Sequence, residues 1–190
     1  MCTAITYETK DFYFGRNLDH MESYGEEVVV TPRNHPFKFR KAGEMNSHYA
    51  MIGVACVRGG TALYYDAVNE KGLCMAGLNF VGNAVYRPVT EDDDNIAQFE
   101  LIPWLLGQCA SVEEAKEVLG KTNIADISFD GDTPPAQLHW MIADRSGCVV
   151  LEATEKGVDI YDNPVGVLTN NPPFPVQMFG LNNYLSLIHI

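Results

Sequence analysis

Hydrophobic and polar positions alternate in short bursts along most of the chain. Residues 3–8 (TAITYE) and 12–18 (FYFGRNL) are rich in β-branched and aromatic residues, with the turn-like Thr9-Lys10-Asp11 between them. The pair predicts a β-hairpin. Residues 26–31 (EEVVVT) predict another strand, stopped by Pro32, and the polar stretch 33–47 predicts a loop. Residues 49–57 and 62–67 flank Arg58-Gly59-Gly60, a second hairpin signature, and 73–80 (LCMAGLNF) predict an apolar strand. Short strands at short spacing are the pattern of a large antiparallel sheet.

The period then changes. After the acidic run Glu91–Asp94, residues 95–108 place Ile96, Phe99, Ile102 and Leu106 at helical spacing, with Asn95 as N-cap and Pro103 predicting a kink. Ser111 followed by Glu114 is a capping box for a second helix, with Gly120 at its end. Strands resume at 138–143, 148–153 and 165–168, with a turn at Arg145-Ser146-Gly147. Sheet, helical pair, sheet predicts an α+β fold with helices on a sheet face, and 190 residues predict one domain, 1–190.

Composition narrows the function. A net charge of −12 argues against nucleic acid or an anionic membrane surface as partner. No apolar run reaches the roughly 20 residues that span a bilayer, which predicts no membrane insertion. No basic-then-apolar signal precedes the first strand, so a cytoplasmic location is expected, with nothing to remove but Met1. The five cysteines (2, 56, 74, 109 and 148) include no CxxC pair, and His20, His35, His48 and His139 show no ligand spacing. Neither a disulfide framework nor a metal site is expected, and His139, inside an apolar strand, reads as a core residue.

Cys2 stands out. If Met1 is removed, this one residue carries both a thiol and an α-amine that can take the thiol's proton. The simpler reading is a small residue that permits methionine removal. A hairpin turning at 9–11 returns Arg16 beside Cys2, where a cation would favour the thiolate and Asp19 could orient the amine; both also suit an ordinary strand end. Asn79 and Asn170 close strong strands, where donors can stabilise an oxyanion, although Asn is equally a turn residue.

MCTAI, FGRNLD, GLNF followed by VGNA, and VLTNNP, in this order, together resemble the choloylglycine hydrolase and penicillin V acylase family. The resemblance implies an N-terminal nucleophile hydrolase with a four-layer αββα sandwich. It implies Cys2 as nucleophile and its α-amine as base, Arg16 and Asp19 as activating neighbours, and Asn79 (backbone N–H) and Asn170 (side chain) as oxyanion donors. Asn rather than Tyr at position 79 points to glycine- or taurine-conjugated bile salts, with penicillin V or another N-acyl amide as the alternative. Met21 and the 58–65 hairpin are expected to border an apolar substrate pocket. No metal or organic cofactor is implied, and the family's full-length form is expected to be a homotetramer. The family pattern continues past Ile190 with further strands and a second catalytic arginine. The chain therefore reads as a truncated member with a non-family tail at 184–190, and an inactive fragment is the remaining alternative.

Overall fold

The computed structural model describes residues 1–131 and 134–187. Fourteen strands and three α-helices are present among the described residues. The chain forms β1 (Thr3–Glu8), β2 (Phe12–Asn17), β3 (Glu26–Thr31), β4 (Phe37–Phe39), β5 (Gly43–Met45), β6 (Met51–Arg58), β7 (Thr61–Asn69) and β8 (Cys74–Asn79). It continues through β9 (Asp94–Ala97), a 3-10 turn (Gln98–Glu100), α1 (Leu101–Gln108), α2 (Val112–Leu119) and β10 (Thr122–Ala125). It ends with β11 (Leu138–Asp144), β12 (Gly147–Thr154), β13 (Gly157–Asp162), β14 (Val167–Thr169) and α3 (Phe174–Leu187).

Seven strands form one antiparallel sheet in the order β13-β12-β11-β8-β7-β6-β3, and β14-β1-β2 form a second. β8 (CMAGLN) and β11 (LHWMIAD) read as nearly unbroken apolar runs because both faces of the large sheet are covered. On one face Met75, Trp140, Ile142 and Leu151 pack against Leu101, Leu105 and Val112 of the helices. On the other, Ala76, Leu78, Met141 and Val150 meet Cys2, Ala4 and Leu168 of the small sheet, with Phe174 of α3. Helices, sheet and second sheet therefore stack in the α+β order expected of an N-terminal nucleophile hydrolase sandwich.

The small sheet is narrower than the large one. Its outer face leaves Ile5, Tyr7 and Tyr13 exposed, and the far strands of the large sheet leave Val28, Val30 and Ile52 exposed. The β6–β7 turn is a two-residue connection in which Gly59 and Gly60 both take positive φ (58° and 80°), the geometry of a type I′ hairpin.

Several elements differ from the sequence expectation. Asn95 is not a helix cap: it is buried in β9, and its amide bonds Thr90, Asp93 and Asn123. Ile96 and Phe99 match a helical period by coincidence, because β9 runs into a 3-10 turn before α1 begins. Pro103 then falls in the first turn of α1, where no backbone N–H has an intrahelical partner, so no kink is required. In α2 the Ser111 hydroxyl accepts the Glu114 N–H at 3.3 Å as expected, while the Glu114 carboxylate reaches one residue further back, to Ala110 N–H at 2.7 Å. Gly120 keeps right-handed dihedrals (φ −62°), so its freedom is not used. The 33–47 loop contains the small β4–β5 hairpin. Of the expected tail, residues 184–187 belong to α3 and 188–190 lie outside the described residues.

Candidate active site

The first hairpin explains how Cys2 and Arg16 meet. The β1–β2 register pairs Ala4 with Arg16, so Cys2, Ala4 and Arg16 share the inner face of the small sheet. Cys2 is 2% exposed and lines a cavity of about 420 Å³ together with Arg16 and Asn79. The rest of the wall is largely aromatic: Tyr24, Tyr65, Phe99, Phe129 and Trp140 contribute, with Leu63 and Leu138. His20 and the exposed Arg58 also line it.

Arg16 is held rigidly. Its side chain is 5% exposed, with one terminal nitrogen 3.3 Å from Asp66 Oδ2 and the other donating to the Gly77 carbonyl at 3.1 Å. Burial pushes the Asp66 carboxyl above the usual carboxylate range, and the neighbouring guanidinium opposes that rise. Among the described residues Arg16 Nε is buried without a hydrogen-bond partner, an energetically unfavourable state beside a cavity shared with a thiol.

Cys2 is fixed through its backbone. Its N–H donates to Asn170 Oδ1 at 2.6 Å, and Asn170 Nδ2 donates to the Asn79 carbonyl at 2.8 Å. One amide side chain thus ties the ends of β8 and β14 to the start of β1. Phe80 N–H donates to Gln137 O across the β8–β11 ladder. By alternation the Asn79 N–H points to the opposite, β7 side, beyond Ala76, where β7–β8 pairing ends.

Asp19 does not reach Cys2 in this form of the chain. Its carboxylate pairs with the Met1 ammonium at 2.5 Å, and that contact lowers its pKa. Asn17 brackets the same peptide, accepting from Thr3 N–H at 2.6 Å and donating to the Met1 carbonyl at 3.1 Å. Met21 is also not brought to the site: its side chain projects fully into solvent and is absent from the cavity wall, because it sits in the turn after β2. The 58–65 hairpin does border the cavity, through Arg58, Leu63, Tyr64 and Tyr65.

Among the remaining cysteines, burial pushes Cys74, Cys109 and Cys148 up to about 12, which keeps their thiols protonated near neutral pH. Asp66, His139 and Gln177 carry no motif that sequence reasoning could isolate, and Asn17, although it lies within FGRNLD, carries no signal of its role there; only their contacts bring them to the site.

An antiparallel sandwich covered by helices, with a buried cysteine behind Met1, an adjacent guanidinium and two asparagines at strand ends, has the fold class of the N-terminal nucleophile hydrolases. The sequence model of the choloylglycine hydrolase family, described as linear amide C–N hydrolases, matches residues 2–189, and the chain belongs to that family. It is 53% identical over 187 residues to a bile salt hydrolase/transferase of Lactiplantibacillus plantarum, covering 98% of this chain and 58% of the relative. It is 39% identical to a protein of the same description from Clostridium perfringens, again spanning 58% of that protein. The crystal structure of a cysteine-to-alanine mutant of conjugated bile acid hydrolase from C. perfringens superposes with a TM-score of 0.90 at 36% identity, covering 97% of this chain and 57% of that one. Penicillin V acylase from Agrobacterium tumefaciens gives 0.78 at 25% identity, with 98% and 57% covered. The chain thus spans a little over half the length of these relatives.

Proposed function

We propose that this site hydrolyses the amide bond of glycine- or taurine-conjugated bile salts through a thioester on Cys2. The observation that carries the reading is the cavity itself, which joins a buried Cys2 and Arg16 to the end of β8 and to an aromatic wall suited to a bulky apolar acyl group. The relatives named for bile salt and conjugated bile acid hydrolysis support the same substrate class.

Removal of Met1 converts the Cys2 nitrogen from a peptide N–H to an amine and frees Asp19 from the Met1 ammonium. The amine takes the thiol proton, and Arg16 stabilises the thiolate. The thiolate adds to the amide carbonyl, and the oxyanion is received by Asn79 N–H and Asn170 Nδ2. Collapse expels glycine or taurine, which takes the proton held by the amine. A water molecule, deprotonated by the same amine, then adds to the thioester and releases the bile acid with regeneration of the thiol.

The test is amino-acid release from glycocholate and taurocholate, beside phenoxyacetate release from penicillin V, with Cys2→Ser as control and Met1 removal verified by mass. Turnover of the conjugates that Cys2→Ser abolishes supports the assignment. Turnover of penicillin V alone replaces the substrate class. An inactive 190-residue chain beside an active longer reading frame assigns the chemistry to the longer protein and makes this chain a fragment.

A further inference from the structure

A histidine and a carboxylic acid are more deeply buried than Cys2. His139 on β11 is 0% exposed and Glu152 on β12 is 1% exposed, with His139 Nδ1 3.0 Å from Glu152 Oε1. Such groups are costly inside a core unless every polar atom is partnered, so the partners reveal what the pair is holding. His139 Nε2 lies 2.8 Å from the Thr169 carbonyl, and a carbonyl can only accept, so Nε2 carries a hydrogen. Glu152 Oε1 also accepts the Phe174 N–H at 2.8 Å. Either placement of the proton between Nδ1 and Glu152 leaves the Nε2–H bond intact.

The contacts converge on both asparagines of the oxyanion site. Thr169 precedes Asn170. The imidazole also stacks on Phe80 with centroids 4.3 Å apart and planes 5° from parallel, and Phe80 follows Asn79. Gln177 of α3 supports the same segment from the other side, donating to Asn170 O at 2.8 Å and accepting from Thr169 N–H at 3.3 Å.

We propose that His139, oriented by Glu152, is the positioning residue of the oxyanion site: it pins Thr169 and braces Phe80, so that the Asn170 amide and the Asn79 N–H are aimed before substrate arrives. This inference rests on the reading of Asn79 and Asn170 as oxyanion donors. Neither His139 nor Glu152 is assigned contact with substrate.

Two amide replacements separate positioning from general core stability. In His139→Gln the amide reaches the place of Nε2 and can still donate to Thr169; in His139→Asn it reaches only the place of Nδ1. Both are examined in the ¹⁵N-labelled 190-residue chain by the NMR signal and solvent exchange of the Asn170 side-chain amide. The alkylation rate of Cys2, and kcat and KM on glycocholate, are measured alongside. His139→Asn is expected to move the Asn170 signal toward that of a free amide and to lower kcat about 10–100-fold, in line with a displaced oxyanion donor. KM and Cys2 alkylation should stay within about threefold, and His139→Gln should recover most of the loss. Equal behaviour of the two variants, or an unchanged Asn170 signal in a folded His139→Asn protein, overturns the proposal. A parent chain that cleaves no conjugate refutes the functional reading instead, while the Asn170 comparison still decides whether His139 positions that segment.

Discussion

Replacing Arg16 with leucine removes a buried cation while leaving its partner in place, and the structure sets both the size and the pH dependence of the result. The side chains of Arg16 and Asp66 are 5% and 17% exposed and 3.3 Å apart. Removing one member of a buried pair costs about 3–5 kcal/mol, mostly because the other charge is stranded. Asp66 retains a long bond from Val54 N–H at 3.4 Å and some contact with water, so the low end, about 3 kcal/mol, is expected. For a chain of this size that is about 6–12 °C in Tm. Asp66 already titrates above its ordinary value because burial outweighs Arg16, and loss of Arg16 raises it further. A carboxyl with a higher pKa folded than unfolded binds more protons in the folded state, so stability falls as pH rises from the unfolded value through the folded one. The Arg16→Leu penalty should therefore be small at about pH 4 and largest at neutral pH, where both states would otherwise ionise. Urea denaturation across that range measures it, and Asp66→Asn in the Arg16→Leu background should restore part of the loss at pH 7. A penalty that is flat in pH, or no relief from Asp66→Asn, would refute the reasoning.

Other perturbations follow from the same geometry. Asn170→Ala removes both the Oδ1 and Nδ2 contacts and should lower kcat on conjugated bile salts about 10²–10³-fold with a smaller change in KM, as for loss of an oxyanion donor. Gly53→Ala should fail to give folded protein in a solubility and circular-dichroism screen, because a Cβ there would lie 2.0 Å from the Asp66 carbonyl oxygen and 2.6 Å from Ala67 Cβ. Met21→Ala should change stability by less than about 0.5 kcal/mol and leave KM unaltered, since that side chain lies wholly in solvent. A raised KM there would place Met21 at the substrate after all.

The chain reveals its strands better than its connections. β1, β2, β6, β7, β8, β11 and β12 announce themselves because one or both faces are turned inward, which makes the apolar spacing regular. β3 is legible instead from its run of β-branched valines, although it is an edge strand with Val28 and Val30 exposed. β9 is misread because four residues cannot establish a period of two before the turn at Gln98. β13 (GVDIYD) escapes because it is an edge strand whose polar residues face water, and α3 because Asn and Gly interrupt its apolar positions. In the site, the meeting of Cys2 and Arg16 is legible from the length of one hairpin. The partner of Asp19 is not, since it depends on whether Met1 is present. The aromatic wall draws on residues 24, 65, 99, 129 and 140, which only the packing of distant segments brings together. His139 is identified correctly as a core residue, but nothing in the apolar strand around it indicates that its Nε2 bonds the residue before Asn170.

The bond between Cys2 and Asn170 spans 168 positions of sequence. At synthesis rates of about 5–20 residues per second, Asn170 is made roughly 8–34 s after Cys2. During that interval the nascent N-terminus is available for loss of Met1, while the thiol has neither its amide partner nor the strand end that completes its cavity. On the proposed reading of Cys2 as nucleophile, the order of translation separates loss of Met1 from assembly of the pocket, so a half-made chain carries the cysteine without the means to act on an amide.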